Sequence, residues 1–392
     1  MKPRVLLCWG YHRQAWVEPF ERLADRFEFT FLSELNPSAE QSRRTSLPVV
    51  YWDDFRSAAE LLDALAPRKI VMMSVASGRA IALNLAAQSR GIPTYVLQHG
   101  LFQSFASYKA LLASLQATGD AAGAPAGGGG RKTLAYLLRS MAPTQITQLP
   151  AIAAYFAVSR ARTQLEARRW VRGAFRRPSG FICYTHLGTR IYRELHRAKD
   201  ADFELIGIPE FDAFFDGEAS VETEPYALLI DTPLAENRYG QRLVTKDEMV
   251  RFYESLNAHC ERLGLRLKVK LHPASHGQSW QPRLPNIDWY EDADIVSLVR
   301  RATHCYSFHS NLMIPVVYSR PTCLLRLIPS PEIDHMVELG VAVAADFHGF
   351  RPEAVDFGRV RHRGAGFERF IRDYLFATDG RSCDRLGAIL ER

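Results

Sequence analysis

Two residues in the second half of the chain place reactive side chains at the ends of apolar runs. Asp231 directly follows Tyr226–Ile230, and His272 stands between Arg266–Leu271 and Pro273. A carboxylate at the mouth of a buried strand can cap the next loop, take a proton from a hydroxyl group, or attack an electrophilic carbon. A lone histidine is often structural, but a following proline imposes an extended backbone and ends the strand. We therefore expect His272 to point into a cleft, where it can donate to a phosphate or assist a leaving phosphate.

A second set of polar residues precedes an apolar segment that reads as a helix. Ser307, Ser310 and Asn311 stand just before Leu312–Val317. Serine or asparagine at a helix start can simply cap the helix, but hydroxyl and free N–H groups there also bind phosphate. Lys270, two residues before His272, adds a cation to the same predicted site.

Two turns that contain glycine follow other predicted strands. Gln98-His99-Gly100 ends the strand Thr94–Gln98, and we expect His99 to line the cleft. Gly207-Ile208-Pro209 follows the strand that begins at Phe203. This second turn is typical of a structural link between domains, although its backbone at Gly207 and Pro209 can also line a cleft.

The elements that carry these residues alternate between strand and helix along the whole chain. Short, continuous apolar runs separated by amphipathic segments predict an α/β protein with parallel sheets that are covered on both faces. In such sheets ligands bind outside the carboxyl ends of the strands. The polar residues described above fall at those ends, which predicts a lined cleft.

Bulk composition limits the class of protein. The chain has 392 residues, of which 47% are hydrophobic and 23% charged, so we expect two ordinary domains and no disordered or coiled-coil chain. It has no apolar run of about 18 residues, which predicts no membrane span. The start MKPRVLLCWG predicts a strand rather than a signal peptide. Six scattered cysteines favour reduced thiols, and a cytoplasmic protein fits these features.

The middle of the chain is strongly basic. Residues 117–132 are rich in glycine and predict a mobile loop, while residues 131–180 hold ten Arg/Lys residues and one acid, Glu166. The run Ser159–Pro178 predicts a basic helix or helix pair that also carries Trp170. Such a helix can lie on an anionic bilayer, as a peripheral membrane contact, or can simply be a solvated face. The run lacks the interleaved basic and aromatic residues of nucleic-acid-binding modules.

Together these residues resemble a group of bacterial GT-B transferases. The group comprises CDP-glycerol glycerophosphotransferases, capsule and lipopolysaccharide sialyltransferases, and the Kdo transferases of surface polysaccharide assembly. The shared motifs are Gln-His-Gly at 98–100, Gly-x-Pro-x-x-Asp at 207–212, Lys-x-His-Pro at 270–273 and Ser-x-x-Ser at 307–310. The resemblance implies a GT-B fold, with two Rossmann-like domains facing across a cleft, and a nucleotide-sugar donor.

Within this group, the His-Pro and Ser motifs look most like those of enzymes that use CMP-activated sugars. The single Asp231 and the chain length are similar to those of retaining β-Kdo transferases. That resemblance implies a CMP-Kdo donor, Asp231 as the nucleophile, and departure of CMP with help from His272. It further implies a donor-binding set of Lys270, Ser307, Ser310, Asn311, Gly207, Pro209 and His99.

Three alternatives remain open at this level. Inverting sialyltransferases carry an acidic base in an Asp/Glu-Asp/Glu-Gly motif, and the pair closest to it here, Asp53-Asp54, precedes Phe55. The paired serines of the glycerophosphotransferases are separated here by Phe308-His309. The third alternative is a polysaccharide-binding protein that has kept the fold without turnover.

The expected division is an acceptor-binding domain over residues 1–200 and a nucleotide-sugar domain, with a C-terminal helix, over residues 201–392. The expected acceptor is an oligosaccharide or a lipid-linked glycan. No metal or other cofactor is expected, because helix-start amides and basic side chains stabilise the leaving phosphate in such sites. Asp292-Ala293-Asp294 has the spacing of a metal motif, but its position predicts a helix cap.

Overall fold

The computed structural model describes residues 2–11, 14–34, 45–98, 100, 130–215, 225–235 and 244–392. The described residues form two compact units. The first unit ends at Asp212 and also includes Arg381–Arg392, and the second unit is Ala213–Gly380.

The first unit is built on a seven-stranded parallel sheet, in the order β3-β2-β1-β4-β5-β6-β7. Its strands are β1 Arg4–Cys8, β2 Glu28–Ser33, β3 Val49–Tyr51, β4 Lys69–Met72, β5 Thr94–Leu97, β6 Gly180–Cys183 and β7 Phe203–Leu205. All residues of β4 and β6 are buried, as expected for strands covered on both faces.

Helices cover this sheet, and several begin at side-chain caps. They are α1 Glu18–Glu21, α2 Ala58–Leu65, α3 Gly78–Ser89, α4 Gly130–Ser140, α5 Leu149–Ala161, α6 Gln164–Trp170 and α7 His186–His196. Ser77 caps α3 by accepting from the backbone N–H of Ala80, and Thr185 caps α7 in the same way. The basic run thus forms a helix pair, the end of α5 with α6, followed by the 3₁₀ turn Ala174–Arg176.

The second unit has a six-stranded parallel sheet, in the order β10-β9-β8-β11-β12-β13. Its strands are β8 Tyr226–Ile230, β9 Arg266–Lys270, β10 Ile287–Tyr290, β11 His304–Phe308, β12 Thr322–Arg326 and β13 Val343–Asp346. Its helices are α9 Lys246–Arg262, α10 Ile295–Arg301, α11 Met313–Ser319, α12 Pro331–Glu338 and α13 Ala365–Phe370, which continues into the π-helical turn Ile371–Leu375. Alternate residues of β8, Ala227 and Leu229, pack in one core cluster with Phe252 and Leu256 of α9.

The boundary between the units differs from the expected one at residue 200. Strand β7 extends the edge of the first sheet, and the short helix α8, Asp212–Phe215, begins at the boundary. The predicted tail helix Phe367–Phe376 is present as α13 and the π-helical turn, but a further helix, α14 Ser382–Glu391, was not predicted. Helix α14 belongs to the first unit, because its contacts are with residues of that unit.

No helix among the described residues is long and apolar enough to cross a membrane.

Candidate functional site

Three of the predicted site residues follow adjacent strands of the second sheet. Strand β8 lies between β9 and β11, and Ile230 pairs in register with both Lys270 and Ser307. Asp231, His272 and Ser310 come one to three residues beyond these paired positions. All three strands are parallel, so the three residues lie at one edge of the sheet, where α/β proteins bind ligands.

Asp231 is anchored by its neighbours. Its side chain is buried, with the residue 4% exposed, and its backbone N–H donates to the Lys270 carbonyl at 3.0 Å. The Tyr253 hydroxyl of α9 donates to Asp231 Oδ1 at 2.9 Å. Tyr253 is itself buried against the rings of Trp280 and Trp289. The carboxylate is therefore held in one orientation by the helix that covers the sheet.

Tyr253 was missed by sequence reasoning. It lies 22 residues after Asp231, on the buried side of an amphipathic helix, where a tyrosine is normally predicted to be part of the hydrophobic core. Only the packing of α9 on β8 brings its hydroxyl to the end of the strand.

His272 has the extended backbone that the following proline favours, with φ −70° and ψ 145°. Its Nδ1 accepts from the backbone N–H of Ala274 at 3.1 Å, which caps the short 3₁₀ turn Pro273–Ser275. A neutral ring with Nδ1 as an acceptor carries its proton on Nε2. The ring is half-buried, and the turn holds it in a tautomer that can donate a hydrogen bond.

Lys270 is engaged with the backbone rather than directed to open solvent. Its Nζ donates to the carbonyls of Leu271 at 3.0 Å and Glu291 at 2.5 Å. Burial lowers the pKa of this ammonium group, and the nearby acids Asp292 and Glu291 oppose that shift. Lys270 thus ties the end of β10 to the end of β9, and its assignment to donor binding stays a prediction.

The two serines of the Ser-x-x-Ser motif, Ser307 and Ser310, have different surroundings. Ser307 is completely buried within β11, and its Oγ donates to the Phe308 carbonyl at 3.0 Å. Ser310 Oγ is buried and has no hydrogen-bond partner among the residues that the structure describes, and Asn311 is exposed. Helix α11 begins only at Met313, one residue after the start of the predicted segment Leu312–Val317, and no side chain caps it. Neither Ser310 nor Asn311 is therefore a helix cap.

His309 and Glu332 add two further polar groups at this edge, and sequence reasoning assigned them no role. Glu332, at the start of α12, is buried and accepts from Ser330 Oγ at 3.1 Å. Its Oε2 lies 3.9 Å from His309 Nε2. Burial lowers the pKa of the His309 imidazole, and the Glu332 carboxylate opposes that shift. Strand β12, which precedes α12, is the neighbour of β11, and this topology places the two residues together.

In the first unit, Gln98 braces the turn that carries the Gln-His-Gly motif. Its Oε1 accepts from the backbone N–H of Tyr184 at 2.9 Å, and its Nε2 donates to the Gly100 carbonyl at 3.0 Å. These bonds join the ends of β5 and β6. His99 lies outside the described residues, as does most of the predicted mobile loop 117–132.

The Gly-x-Pro-x-x-Asp motif contacts the last helix of the chain. Gly207 has φ +84°, and a Cβ there would lie 2.5 Å from Ser382 Oγ. Pro209 begins the 3₁₀ turn Pro209–Phe211, after which the Asp212 carboxylate accepts from the backbone N–H groups of Ser382 at 3.1 Å and Cys383 at 3.2 Å. These contacts hold α14 on the first unit, and donor binding by Gly207 and Pro209 stays a prediction.

The first sheet has an acidic group of its own at its carboxyl edge. Asp53 follows β3 and forms an ion pair with Arg79 at the start of α3. Its side chain is 84% exposed, whereas Asp54 Oδ2 accepts from the backbone N–H of Tyr51 at 2.8 Å. Of this acidic pair, Asp53 is the accessible carboxylate.

The residues that the structure describes contain no group of three or more His, Cys, Asp or Glu side chains arranged to hold a metal ion. Asp294 caps α10 by accepting from the backbone N–H of Val296 at 3.0 Å and from Ser297 Oγ at 2.5 Å. The hydrogen bond from Ser297 lowers the pKa of its carboxyl group. The helix cap expected for the Asp292-Ala293-Asp294 segment is therefore present.

Two units, each with a parallel sheet covered by helices, are the architecture of the GT-B fold, and solved structures share this fold along the whole chain. The glycosyltransferase of kitacinnamycin has a TM-score of 0.58 at 14% identity, over 100% of this chain and 99% of that one. The calicheamicin glycosyltransferase CalG4 has 0.55 at 14%, over 100% and 98%. The wall teichoic acid polymerase TagF has 0.53 at 11%, over 100% and 88%.

Residues 28–287 match the family model described as alpha-2,8-polysialyltransferase (POLYST). The chain therefore belongs to the alpha-2,8-polysialyltransferase family and is a glycosyltransferase, which confirms the class predicted from its motifs. A search of curated proteins finds no significant match. The closer resemblance to Kdo transferases stays a prediction.

Proposed function

We propose that this glycosyltransferase moves an ulosonic acid from a CMP-activated donor to a glycan acceptor. The family description favours sialic acid as the sugar, whereas the sequence motifs favoured Kdo. Both are acidic keto-sugars that are activated as CMP conjugates, so the two assignments share one donor chemistry. The observation that carries the proposal is the position of Asp231, His272 and Ser310 after three adjacent strands.

His272 and Ser310 are the groups proposed to hold the donor phosphate. In the neutral ring His272 Nε2 carries the proton, because Nδ1 accepts from Ala274, and Ser310 Oγ is a hydroxyl without a partner in the described part of the chain. A buried donor without a partner costs about 1–3 kcal/mol, and a phosphate oxygen would offset that cost. His309, beside Glu332, is a third donor on the same edge.

Transfer breaks the bond between the anomeric carbon and the CMP phosphate oxygen, which keeps the electron pair. Donors already fixed around that oxygen stabilise its growing negative charge more than they stabilise the intact donor. The acceptor hydroxyl forms the new bond to the anomeric carbon and loses its proton to a carboxylate. Charge stabilisation and proton transfer are thus assigned to different residues.

Two routes are open for the remaining step. In a retaining route Asp231 attacks the anomeric carbon first and forms a covalent sugar ester, which the acceptor then displaces. In an inverting route the acceptor attacks directly, a carboxylate takes its proton, and Asp231 only orients its neighbours. The 4% exposure of Asp231 and its bond to Tyr253 suit such an orienting role, which keeps the inverting route as the second candidate. The anomeric configuration of the product distinguishes the two routes.

Donor binding is tested by the thermal stability of the full chain with CMP, CDP, UDP or GDP. A ligand that binds only the folded protein stabilises it by about 2.7 kcal/mol at a hundredfold excess over its Kd, which raises the melting temperature by several degrees. We expect this shift with CMP and a much smaller shift in His272→Ala.

The control variant is His259→Ala, which removes another half-buried histidine at the far end of α9. It should keep the full CMP shift. A larger shift with CDP than with CMP would favour a glycerophosphotransferase. A shift only with UDP or GDP would leave the fold assignment intact and overturn the CMP-sugar proposal.

A further inference from the structure

The segment 131–180 forms a cationic surface on the first unit. Seven of its basic side chains are exposed in the described residues: Lys132, Arg139, Arg160, Arg162, Arg169, Arg172 and Arg177. Five of these, Lys132, Arg139, Arg160, Arg162 and Arg172, have no carboxylate partner in the part of the chain that the structure describes. The one acid of the segment, Glu166, is half-buried and bonded to Thr163.

Large apolar side chains are exposed on the same segment. Leu134 is 53% exposed, Leu138 48%, Ile146 56% and Trp170 51%, and only three other large apolar side chains in the described residues are comparably exposed. Leu134 and Leu138 are four residues apart on α4 and therefore share one helix face. Exposed apolar residues concentrated in this way are typical of an interaction surface.

Contacts between the helices show that the segment packs together. A Cβ at Gly78 would meet both Thr133 of α4 and Phe156 of α5. The Arg162 guanidinium lies over the Trp170 ring, with Cζ 4.5 Å from its centroid, which joins the end of α5 to α6. The outward side of α5 carries exposed alanines and Arg160 but no acid.

We propose that this surface, formed by α4–α6, docks the enzyme on an anionic lipid membrane. Arginine and lysine near an anionic bilayer each favour binding by about 1 kcal/mol, which is roughly fivefold in the partition coefficient. Leucine and tryptophan side chains can enter the boundary between headgroups and acyl chains. An anionic polysaccharide would complement the cations but would leave Leu134, Leu138 and Ile146 exposed, so the lipid surface fits the combination better.

The buried Arg176 adds no exposed charge to this surface, but it helps to hold the helices that form it in place. It is 2% exposed, stacks on Tyr155 and donates to the carbonyls of Arg168 and Leu195. Tyr155 in turn donates to the Ala76 carbonyl, just before the start of α3. The helices that present the exposed cations are therefore attached to the sheet through a rigid, buried contact.

The test is binding of the full chain to vesicles, with no sugar donor present. We expect binding to mixed phosphatidylglycerol and phosphatidylcholine vesicles, little binding to pure phosphatidylcholine, and weakening as salt rises. The triple change Arg160→Gln, Arg162→Gln and Arg172→Gln should reduce the partition coefficient roughly 100-fold, because the loss of each charge reduces it about fivefold. A fluorescence blue shift on binding should be reduced in Trp170→Phe if this ring enters the interface.

The matched control removes the same charge from exposed arginines of the second unit, Arg262→Gln, Arg351→Gln and Arg363→Gln. It should bind vesicles nearly as well as the unchanged protein, and circular dichroism checks that both triple variants are folded. Equal binding by both triple variants would overturn the proposal. Binding to a soluble anionic polysaccharide but not to vesicles would also overturn it, in favour of a polyanion site. Neither result bears on donor binding, which is measured separately.

Discussion

At the scale of single residues, the edge of the second sheet separates braced groups from groups that can still donate. Asp231 accepts from Tyr253, Lys270 is bonded to two carbonyls, and Ser307 is bonded within its own strand. His272 has Nδ1 engaged by Ala274, which leaves the proton of the neutral ring on Nε2, and Ser310 Oγ has no partner among the described residues. The residues most suited to a phosphate ligand are therefore His272 and Ser310.

The hydroxyl of Tyr253 should control the orientation of Asp231. Tyr253→Phe removes the hydrogen bond that holds Asp231 Oδ1, so kcat for sugar transfer should fall roughly tenfold, which corresponds to about 1.4 kcal/mol. The measurement is kcat for sugar transfer, with the thermal shift caused by CMP as the check that donor binding is kept.

Tyr226→Phe is the control, because it removes a comparable buried hydroxyl whose bond goes to the Leu298 carbonyl. It should lower stability without lowering kcat. If both variants keep the kcat of the unchanged enzyme while Asp231→Asn abolishes transfer, Asp231 is essential but Tyr253 does not orient it.

At the scale of elements, the last helix is held by a motif that precedes it by some 170 residues. Asp212 caps the start of α14, and Arg385 Nε donates to the Ile206 carbonyl at 2.8 Å. At the other end, Lys69 Nζ donates to the carbonyls of Ile389 at 3.2 Å and Leu390 at 2.9 Å. Both ends of the helix therefore complete their backbone hydrogen bonds with side chains of the first unit.

Asp212→Ala should destabilise the first unit by about 2 kcal/mol, because it removes a helix cap and leaves two backbone N–H groups without a partner. Urea unfolding measures the loss, and limited proteolysis should cleave the C-terminus sooner. Asp384→Ala is the control, because its exposed carboxylate contacts only Arg381 among the described residues. Equal losses of unfolding free energy in the two variants would show that the Asp212 contact does not specifically hold α14 on the first unit.

At the scale of the whole molecule, each unit has its own core, and a buried histidine should make the second unit sensitive to acid. His304 begins β11, is 7% exposed and stacks on Phe357 with ring centroids 4.2 Å apart. Burial lowers the pKa of its imidazole to about 4. The folded protein thus keeps His304 neutral at a pH where the unfolded chain protonates it.

The direction of this pH dependence follows because the unfolded chain binds a proton at this histidine in a pH range where the folded protein does not. Stability is lost as pH falls from about 6.5 toward about 4, by roughly 2 kcal/mol between pH 7 and pH 5. His304→Phe should remove that part of the loss in urea unfolding, while His348→Phe, at an exposed histidine, should not. An unchanged pH dependence in His304→Phe would assign acid sensitivity to other groups.

The sequence by itself determined the α/β class, the central strands of both sheets and the glycosyltransferase class. Those features rest on local periodicity and on short motifs at strand ends, which are readable without distant contacts. Strands β3, β6, β10 and β13 escaped prediction, because only three or four residues form each of them. Three of these are edge strands and are mostly half-buried, whereas β6 is a fully buried inner strand.

Only the tertiary structure decided which polar residues are available. Ser307 and Ser310 look alike in the sequence, but Ser307 lies inside a strand and Ser310 follows it. The Ser307 hydroxyl is therefore bonded, whereas the Ser310 hydroxyl has no partner within the described ranges. Asp231 and Tyr253, and likewise Asp212 and Ser382, meet only when helices pack on sheets. The packing of elements distant in the chain sets burial and hydrogen-bond partners, and no local pattern encodes that packing.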